Sequence, residues 1–339
     1  MRCVIVRRAY FRVHKKQRSS SGGLEWQSTR KKGLQVRWQK GAACCPKMKE
    51  DGSLRSKGNN VKDLAESSII GRALTVAGYD PSSGAGVTAD LEVFAGHSVS
   101  GVSAVTALTV QSSTTVRRVE PVRAALLQET LELLAQDTEI TGVKIGMLAT
   151  AELVGVVTKF LEIASIPRER IVLDPVIRSS SGAELLSASG VERLRAELLP
   201  VVGWVTPNLL EAGILAGVEV VGRAEVPAVA ARIQALGTSS PWRAEEHRAP
   251  EWGTQPGGSG LNVVVTGGHL DPPDDFLLTD SGDEVWVPGV RVQADGVYGT
   301  HGTGCVFSSA LLCGLMWGEG AVEAVRGAKE FVVRRLSRD

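Results

Sequence analysis

Apolar residues occur in short runs that alternate with longer amphipathic stretches from about residue 73 to the end of the chain. The runs are rich in β-branched and aliphatic side chains, and each predicts a buried strand. They span residues 73–77, 101–110, 143–147, 171–176, 203–206 and 261–266. Most of the stretches between them repeat apolar residues at helical spacing, as Ala124, Leu127 and Leu131 do. This alternation predicts an α/β domain with a mainly parallel sheet.

The last part of this domain contains elements of a different kind. Two short apolar runs, 276–278 and 284–287, flank residues 280–283 (DSGD) and predict a β-hairpin. Two helices, at about 303–316 and 319–336, are expected to end the chain.

Two segments fall outside the pattern. Residues 1–70 lack sustained periodicity, and residues 1–50 hold fourteen Lys or Arg but only two acidic residues. We interpret residues 1–70 as a disordered extension ahead of a domain at 71–339; an organelle-targeting peptide, or translated sequence upstream of a start such as Met48, is the alternative. Residues 238–260 are dominated by Pro, Gly and charge, which predicts a flexible surface insertion rather than a lid.

Composition and charge narrow the classes of function. The formal net charge is +1, and because the N-terminus is so basic, the rest of the chain is acidic overall. That balance argues against a nucleic-acid-binding core. No apolar run reaches the roughly 20 residues that a membrane helix needs. The five cysteines have no metal-ligand spacing, and we interpret them as reduced thiols of a cytoplasmic protein.

A glycine- and serine-rich segment, residues 77–86 (AGYDPSSGAG), follows the first strand and begins a helix. Ligands usually bind at this place in an α/β sheet, beyond the carboxyl end of a strand, although the segment also fits an ordinary strand–helix turn. Asp90 lies on the following helix beside its buried stripe. Its carboxylate is predicted to be either an acceptor for a substrate or a solvated residue at the boundary.

Two acidic candidates follow later strands. Asp174 ends an apolar strand, where catalytic or metal-binding groups tend to be displayed. Asn208 and Glu211 begin a later helix, and their spacing predicts a capping box. The alternative is that they organise hydrated Mg²⁺, which keeps several waters and takes few protein ligands.

Residues 300–305 (THGTGC) precede an apolar helix and are the most informative segment. The amides and the dipole at such a helix start make an anion site, and phosphoryl transfer needs one. Cys305 falls in the first helical turn, a location that predicts a thiol pKa below its usual value of about 8.5. Such a thiol could accept a proton from a substrate hydroxyl, or Cys305 is simply a small buried residue.

Seven stretches, in order and spacing, resemble the hydroxymethylpyrimidine/phosphomethylpyrimidine kinases: ALTVAGYDPSSGAGVTADLEVF, TALTVQS, VKIGMLAT, VLDPV, TPNLLEA, VTGGHL and THGTGCVFSSA. The similarity spans about residues 73–336, interrupted by 238–260. It implies a ribokinase-like fold, in which a central, mostly parallel sheet is flanked by helices on both sides. It also implies phosphorylation of 4-amino-5-hydroxymethyl-2-methylpyrimidine, and then of its monophosphate, with ATP and Mg²⁺.

The resemblance further implies roles for individual residues. The pyrimidine would contact Gly78, Asp90, Gln111, Met147 and Val176. The nucleotide and the metal would be held by Asp174, Asn208, Glu211 and Thr266, with Asp174 and Glu211 nearest to Mg²⁺. The anion hole would be formed by the amides of Gly302, Thr303, Gly304 and Cys305, with the Cys305 thiol as the candidate base.

One position departs from the family. Thr266 stands where the family commonly has Lys, before Gly267-Gly268. The missing cation bears most on the second phosphorylation, which brings the most negative charge together. Lys144, Arg178 or the metal is expected to compensate, or turnover is slow.

Two other functions stay open from the sequence. A pyridoxal or pyridoxine kinase on the same fold would use a similar anion hole, although Gln111 and Met147 favour the pyrimidine. A non-catalytic pyrimidine-sensing module is the second, and Thr266 is its only motivation. The expected partners are the small-molecule substrate and ATP, with a homodimer possible and no nucleic acid or membrane.

Overall fold

The computed structural model describes residues 13–18, 24–29, 70–112, 114–179, 182–238, 260–292 and 301–337. The chain divides into two units, Met1–Asn59 and Asn60–Asp339. In the first unit, β1 (Val13–Arg18) pairs antiparallel with β2 (Leu24–Thr29). This hairpin lies within the predicted N-terminal extension, nearly all the rest of which is outside the described residues. Residues 239–259 of the predicted insertion are also outside them, so the proposed domain boundaries stay a prediction.

The described strands of the second unit form one nine-stranded sheet. They are β3 (Arg72–Tyr79), β4 (Ser100–Gln111), β5 (Val116–Pro121), β6 (Gly142–Ile145), β7 (Ile171–Leu173), β8 (Trp204–Val205), β9 (Asn262–Val265), β10 (Asp275–Leu278) and β11 (Glu284–Val287). Their spatial order is β11-β10-β9-β8-β7-β6-β3-β4-β5. The strands from β9 to β4 are parallel. Antiparallel strands complete the sheet at both edges, with β5 beside β4 and the β10–β11 hairpin beside β9.

Helices cover both faces of this sheet and bury two apolar cores. The helices are α1 (Gly86–Gly96), α2 (Ala124–Asp137), α3 (Ala151–Ile163), α4 (Ala188–Arg193), α5 (Leu209–Ala216), α6 (Val226–Leu236), α7 (Thr303–Met316) and α8 (Ala321–Leu336). One core lies beneath α2 to α6, and the other beneath α1, α7 and α8. The predicted α/β architecture with helices on both sides is confirmed.

Successive residues of the central strands enter opposite cores, because side chains alternate across a strand. Val143 and Ile145 belong to the core beneath α2 to α6, whereas Val172 and Val264 belong to the core beneath α1, α7 and α8. Lys144 lies between Val143 and Ile145 and is fully buried. Its charged side chain therefore enters the side of the sheet that α1 and α7 cover.

The strands predicted from apolar runs all occur, and so do the hairpin and the last two helices. The edge strand β5 was not predicted, because its charged sequence VRRVEP leaves every side chain exposed or half-buried. Such a strand gives no apolar signal and is specified by pairing with β4. Among the described residues, no helix is long and apolar enough to cross a membrane.

Candidate active site

The loop between β3 and α1 is organised by one buried carboxylate, that of Asp80. It accepts hydrogen bonds from the amide of Ser82 at 2.8 Å, from the Ser82 hydroxyl at 2.8 Å and from the amide of Ala85 at 2.9 Å. Burial alone would raise the pKa of Asp80, but hydrogen bonds from His301 and Ser82 hold that pKa below its usual range. Asp80 therefore stays ionised and fixes the shape of the glycine-rich loop.

The same carboxylate ties this loop to the segment that begins α7. His301 Nε2 lies 2.8 Å from Asp80 Oδ2, across 221 positions of sequence. Gly302, the residue before α7, has a φ of 75° and packs so tightly on the Gly84 carbonyl that a side chain there would overlap it. Sequence reasoning singled out both segments but not this contact between them, because neither Asp80 nor His301 looks unusual alone.

The first turn of α7 adjoins the carboxyl end of β7. A Cβ atom on Gly304 would lie 3.8 Å from Asp174 Oδ2, so the glycine leaves room between the helix and this carboxylate. Ser308, one turn further along α7, donates to the same oxygen at 3.3 Å. The Cys305 thiol donates to Asp174 and accepts from the amide of Gly86, the first residue of α1. The predicted anion-binding turn, the acidic strand end and the glycine-rich loop thus meet at one place.

The prediction of an acidified Cys305 thiol is wrong for this structure. Burial raises the pKa of Cys305 to about 12; the positive charge of Lys144 opposes the rise, and the charge of Asp174 adds to it. The helix dipole that motivated the prediction is outweighed by desolvation of the thiolate. At neutral pH the thiol is protonated and serves as a hydrogen-bond donor.

A second buried carboxyl group lies beside Asp174. Glu211 completes the predicted capping box: Asn208 Oδ1 accepts from the Glu211 amide at 3.0 Å, and Glu211 Oε2 accepts from the Asn208 amide at 3.0 Å. Burial, together with the charge of Asp174, raises the pKa of Glu211 to about 8. Burial also raises the pKa of Asp174, although the charge of Lys144 opposes it. The capping hydrogen bonds do not exclude a role in metal binding, because burial disfavours the ionised form of both carboxyl groups and a bound cation would favour it.

This donor set fits a Mg²⁺ ion shared with phosphate. Two oxygen-donating carboxylates whose ionisation is unfavourable would be stabilised by a divalent cation, and Mg²⁺ takes few protein ligands when substrate phosphates and waters complete its shell. Among the described residues, no group of three or more His, Cys, Asp or Glu could hold a metal alone. A metal here would therefore depend on oxygens from the nucleotide.

Thr266 follows β9 and contacts the segment that leads into α5. It forms a parallel β-bridge with Asn208, and its amide donates to the Pro207 carbonyl at 2.9 Å. Its side chain is half-buried and uncharged. At the predicted nucleotide-binding position, it therefore supplies no positive charge. Arg178 is exposed on the segment after β7.

Three of the predicted pyrimidine contacts are brought together in a small apolar cluster. Gly78 contacts Met147 so closely that a Cβ atom at position 78 would overlap its methyl group, and Val176 packs against the same cluster. Gln111 ends β4 and pairs with Val116, which also packs there. The ring-binding role of these residues stays a prediction, but Gly78, Met147 and Val176 share one location, and Gln111 is paired with a residue that packs there.

Asp90, the fifth, is fully buried and satisfied by protein donors. Its carboxylate accepts from Thr75 Oγ1 at 2.6 Å, from Ser309 Oγ at 2.8 Å and from Lys144 Nζ at 2.9 and 3.0 Å. The alternative of a solvated boundary residue is therefore wrong. Contact with the pyrimidine stays a prediction, and these protein donors engage both carboxylate oxygens.

Solved structures of two small-molecule kinases superpose on this chain. A crystal structure of phosphomethylpyrimidine kinase from Clostridium difficile 630 superposes with a TM-score of 0.62 at 28% identity, covering 78% of this chain and 99% of that one. Pyridoxal kinase from Staphylococcus aureus, solved with pyridoxal, gives 0.63 at 28% identity, covering 78% and 86%. The fold is that of a ribokinase-like small-molecule kinase.

Sequence similarity identifies the family. The hydroxymethylpyrimidine/phosphomethylpyrimidine kinase of Aquifex aeolicus is 36% identical over 266 residues, 78% of this chain and 93% of that protein. The model of the family described as phosphomethylpyrimidine kinase matches residues 80–240 and 258–339. The chain belongs to the phosphomethylpyrimidine kinase family.

Proposed function

We propose that this chain transfers the γ-phosphoryl group of ATP to the hydroxymethyl group of 4-amino-5-hydroxymethyl-2-methylpyrimidine, and then to the monophosphate so formed. The observation that carries the proposal is the meeting of three features at the start of α7. Gly304 adjoins Asp174, and Cys305 accepts a hydrogen bond from Gly86, the first residue of α1. The glycine-rich loop before α1 starts from the strand that carries Gly78, which supports an anion site and an apolar ring site next to each other.

In the transfer, the substrate hydroxyl oxygen attacks the γ-phosphorus as the bond from phosphorus to the β–γ bridging oxygen breaks. ADP leaves with the bonding electrons, and the hydroxyl proton passes to a nearby acceptor. Amides of residues 302–305 would face the charge that spreads over the phosphoryl oxygens. Because the transition state is loose, positioning and charge stabilisation matter more than a strong base.

The protonation states of the two candidate proton acceptors agree with that reasoning. Cys305 is a neutral thiol that donates to Asp174, so it accepts the proton only as its own proton moves on to that carboxylate. The thiol and Asp174 therefore act together as one acceptor. A bound Mg²⁺ ion, held by Asp174 and Glu211, would neutralise the nucleotide phosphates.

The ring site supports a flat, hydroxymethyl-bearing heterocycle. Met147 offers a polarisable surface on which a ring can pack, and Gln111 supplies both a donor and an acceptor for an aminopyrimidine edge. The aromatic ring of pyridoxal would meet the same surface, which makes pyridoxal kinase the second candidate. The pyrimidine is favoured because the Aquifex aeolicus relative bears that name at 36% identity.

A coupled ADP-release assay tests this function directly. The panel contains the pyrimidine, its monophosphate, pyridoxal and pyridoxine, each with Mg-ATP, and mass measurement identifies the product. Turnover of the pyrimidine is expected. Exclusive turnover of pyridoxal would reject the assignment, and tight pyrimidine binding without ADP release would indicate a sensing module instead. A homodimer and a cytoplasmic location stay predictions.

A further inference from the structure

One buried cation in the central sheet has no role in the scheme above. Lys144 occupies the middle of β6, where neighbouring strand residues are apolar, and its side chain is fully buried. Thr75 is its registered partner on β3. Gly146 makes space for it, because a Cβ atom there would lie 2.9 Å from Lys144 Nζ.

The ammonium group is held by Asp90 in a network with no exposed member. Lys144 Nζ lies 2.9 Å from Asp90 Oδ1 and 3.0 Å from Oδ2, and hydroxyl groups of Thr75 and Ser309 complete the shell of that carboxylate. Burial alone would lower the pKa of Lys144, but the charge of Asp90 raises it above its usual value. The lysine is therefore a permanent cation.

Fold stability is a weak reason to keep such a pair. Desolvating two charges offsets most of their attraction, and well-packed apolar residues of similar volume often stabilise a protein more. Lys144 and Asp90 could therefore be replaced together by neutral residues without loss of the fold, if packing were their sole task.

The network touches the site at Asp174. Lys144 Nζ lies 4.0 Å from Asp174 Oδ2, the oxygen that also accepts from Ser308. Ser308 and Ser309 are consecutive residues of α7, one bonded to Asp174 and the other to Asp90. Cation, carboxylate and helix are thus joined by direct contacts immediately behind the first turn of α7.

We infer that Lys144, fixed by Asp90, is a positioning residue for phosphoryl transfer. Its ammonium orients the Asp174 carboxylate against α7 and maintains a positive charge behind the anion-binding turn. This inference rests on the proposed kinase function. It also gives Asp90 a task that contact with the substrate does not require.

The test compares Lys144→Met with the double variant Asp90→Asn/Lys144→Met. The single variant leaves Asp90 buried without its counter-ion and is expected to lower Tm sharply. The double variant leaves the interior neutral and is expected to recover most of that Tm. Its kcat is nevertheless expected to stay about 100-fold below that of the unmodified protein, because small misplacements of catalytic groups have effects of this size. KM for the pyrimidine should change less than about threefold, since the apolar cluster of Gly78, Met147 and Val176 is not altered.

A double variant that recovers both Tm and kcat would overturn the inference and leave the pair a structural element. A double variant with normal kcat and strongly raised KM would overturn it too, in favour of substrate binding by Asp90.

If the double variant does not fold, Ser308→Ala decides, because it removes the other donor to Asp174 Oδ2 and no charge. A kcat lowered at least threefold at constant KM supports the inference, and an unchanged kcat overturns it. Lys159→Met, at an exposed lysine of α3, is the matched control. An unmodified protein without kinase activity would instead reject the proposed function.

Discussion

Glu211 offers the most direct test of the electrostatics of the site, because substitution by Gln removes its charge and little else. The side chain is buried, and its pKa is raised to about 8 from the 4.5 of an ordinary glutamate. Below about pH 4.5 both the folded and the unfolded chain hold the proton, so the group has no effect on stability. Between about pH 4.5 and 8 the folded chain keeps a proton that the unfolded chain releases. Stability contributed by this group therefore falls as pH rises through that window.

The size of the effect follows from the shift. Each pKa unit corresponds to about 1.4 kcal/mol, so ionising Glu211 in the folded protein costs up to about 4–5 kcal/mol above pH 8. Part of this belongs to the pair with Asp174, whose own ionisation becomes easier when Glu211 is replaced. Gln keeps one oxygen for the Asn208 amide but fits the capping box less well, at a cost of about 1 kcal/mol. We expect Glu211→Gln to be about 1–4 kcal/mol more stable than the unmodified protein at pH 8.5, and slightly less stable at pH 5.

Urea unfolding at pH 5, 7 and 8.5 in the presence of EDTA measures this difference, and repetition with Mg²⁺ and ATP measures the metal linkage. Metal and nucleotide should stabilise the unmodified protein at pH 8.5 and have a smaller effect on the variant. Glu219→Gln, at an exposed glutamate of the same region, controls for loss of a surface charge. Equal pH slopes for the unmodified protein and Glu211→Gln would refute the reasoning, because the raised pKa requires the slopes to differ.

Substitutions at three further positions address other parts of the site. Cys305→Ala should lower kcat by about 10- to 100-fold while leaving ATP affinity, measured by calorimetry, nearly intact; unchanged turnover would remove the thiol from the mechanism. His301→Leu should lower kcat and also reduce the free energy of unfolding by about 1–3 kcal/mol, because the buried Asp80 carboxylate loses one of its hydrogen-bond partners. His301→Gln can still donate to Asp80 and should recover much of the kcat and of the free energy of unfolding. Equal losses in the two variants would argue against a role for the hydrogen bond to Asp80. Thr266→Lys should raise the rate of the second phosphorylation relative to the first by tenfold or more, as separate ADP-release assays with each substrate would show; an unchanged ratio would mean that the missing cation is compensated elsewhere.

Most of the fold could be predicted because its signals are local. Parallel strands buried on both faces carry continuous apolar runs, and the capping box of Asn208 and Glu211 depends on only four consecutive residues. The edge strand β5 escaped prediction because it is specified by its neighbour β4 rather than by its own composition. The same division applies to the site: each segment was recognisable alone, whereas the contacts that join the segments were not.

Two features of the site depend on contacts between distant residues. Lys144 is a lone charge in an apolar strand, and that anomaly was visible in VKIGMLAT, but its partner Asp90 lies 54 positions earlier on a different element. The pKa of Cys305 depends on two opposing influences. The helix position is local and predicts a lower value, while burial against Lys144 and Asp174 exists only after folding and prevails. The position of Cys305 in the sequence therefore predicted its location in the site correctly, but predicted the wrong direction for its pKa shift.

The charge balance of the site favours the binding of a cation. Behind and beside the first turn of α7, the carboxyl groups of Asp90, Asp174 and Glu211 are buried with the single ammonium group of Lys144 among the contacts described above. One ammonium group offsets only one of the three carboxyl groups; burial, with the charge of a neighbouring carboxylate adding to it, raises the pKa values of Asp174 and Glu211. The phosphates of an incoming nucleotide would add negative charge to a region where further negative charge is already unfavourable. Binding of the phosphates and of a divalent cation must therefore be mutually dependent, since each offsets the charge that the other meets. With Thr266 in place of a lysine, this dependence is expected to be strongest at the second phosphorylation, whose substrate also carries phosphate.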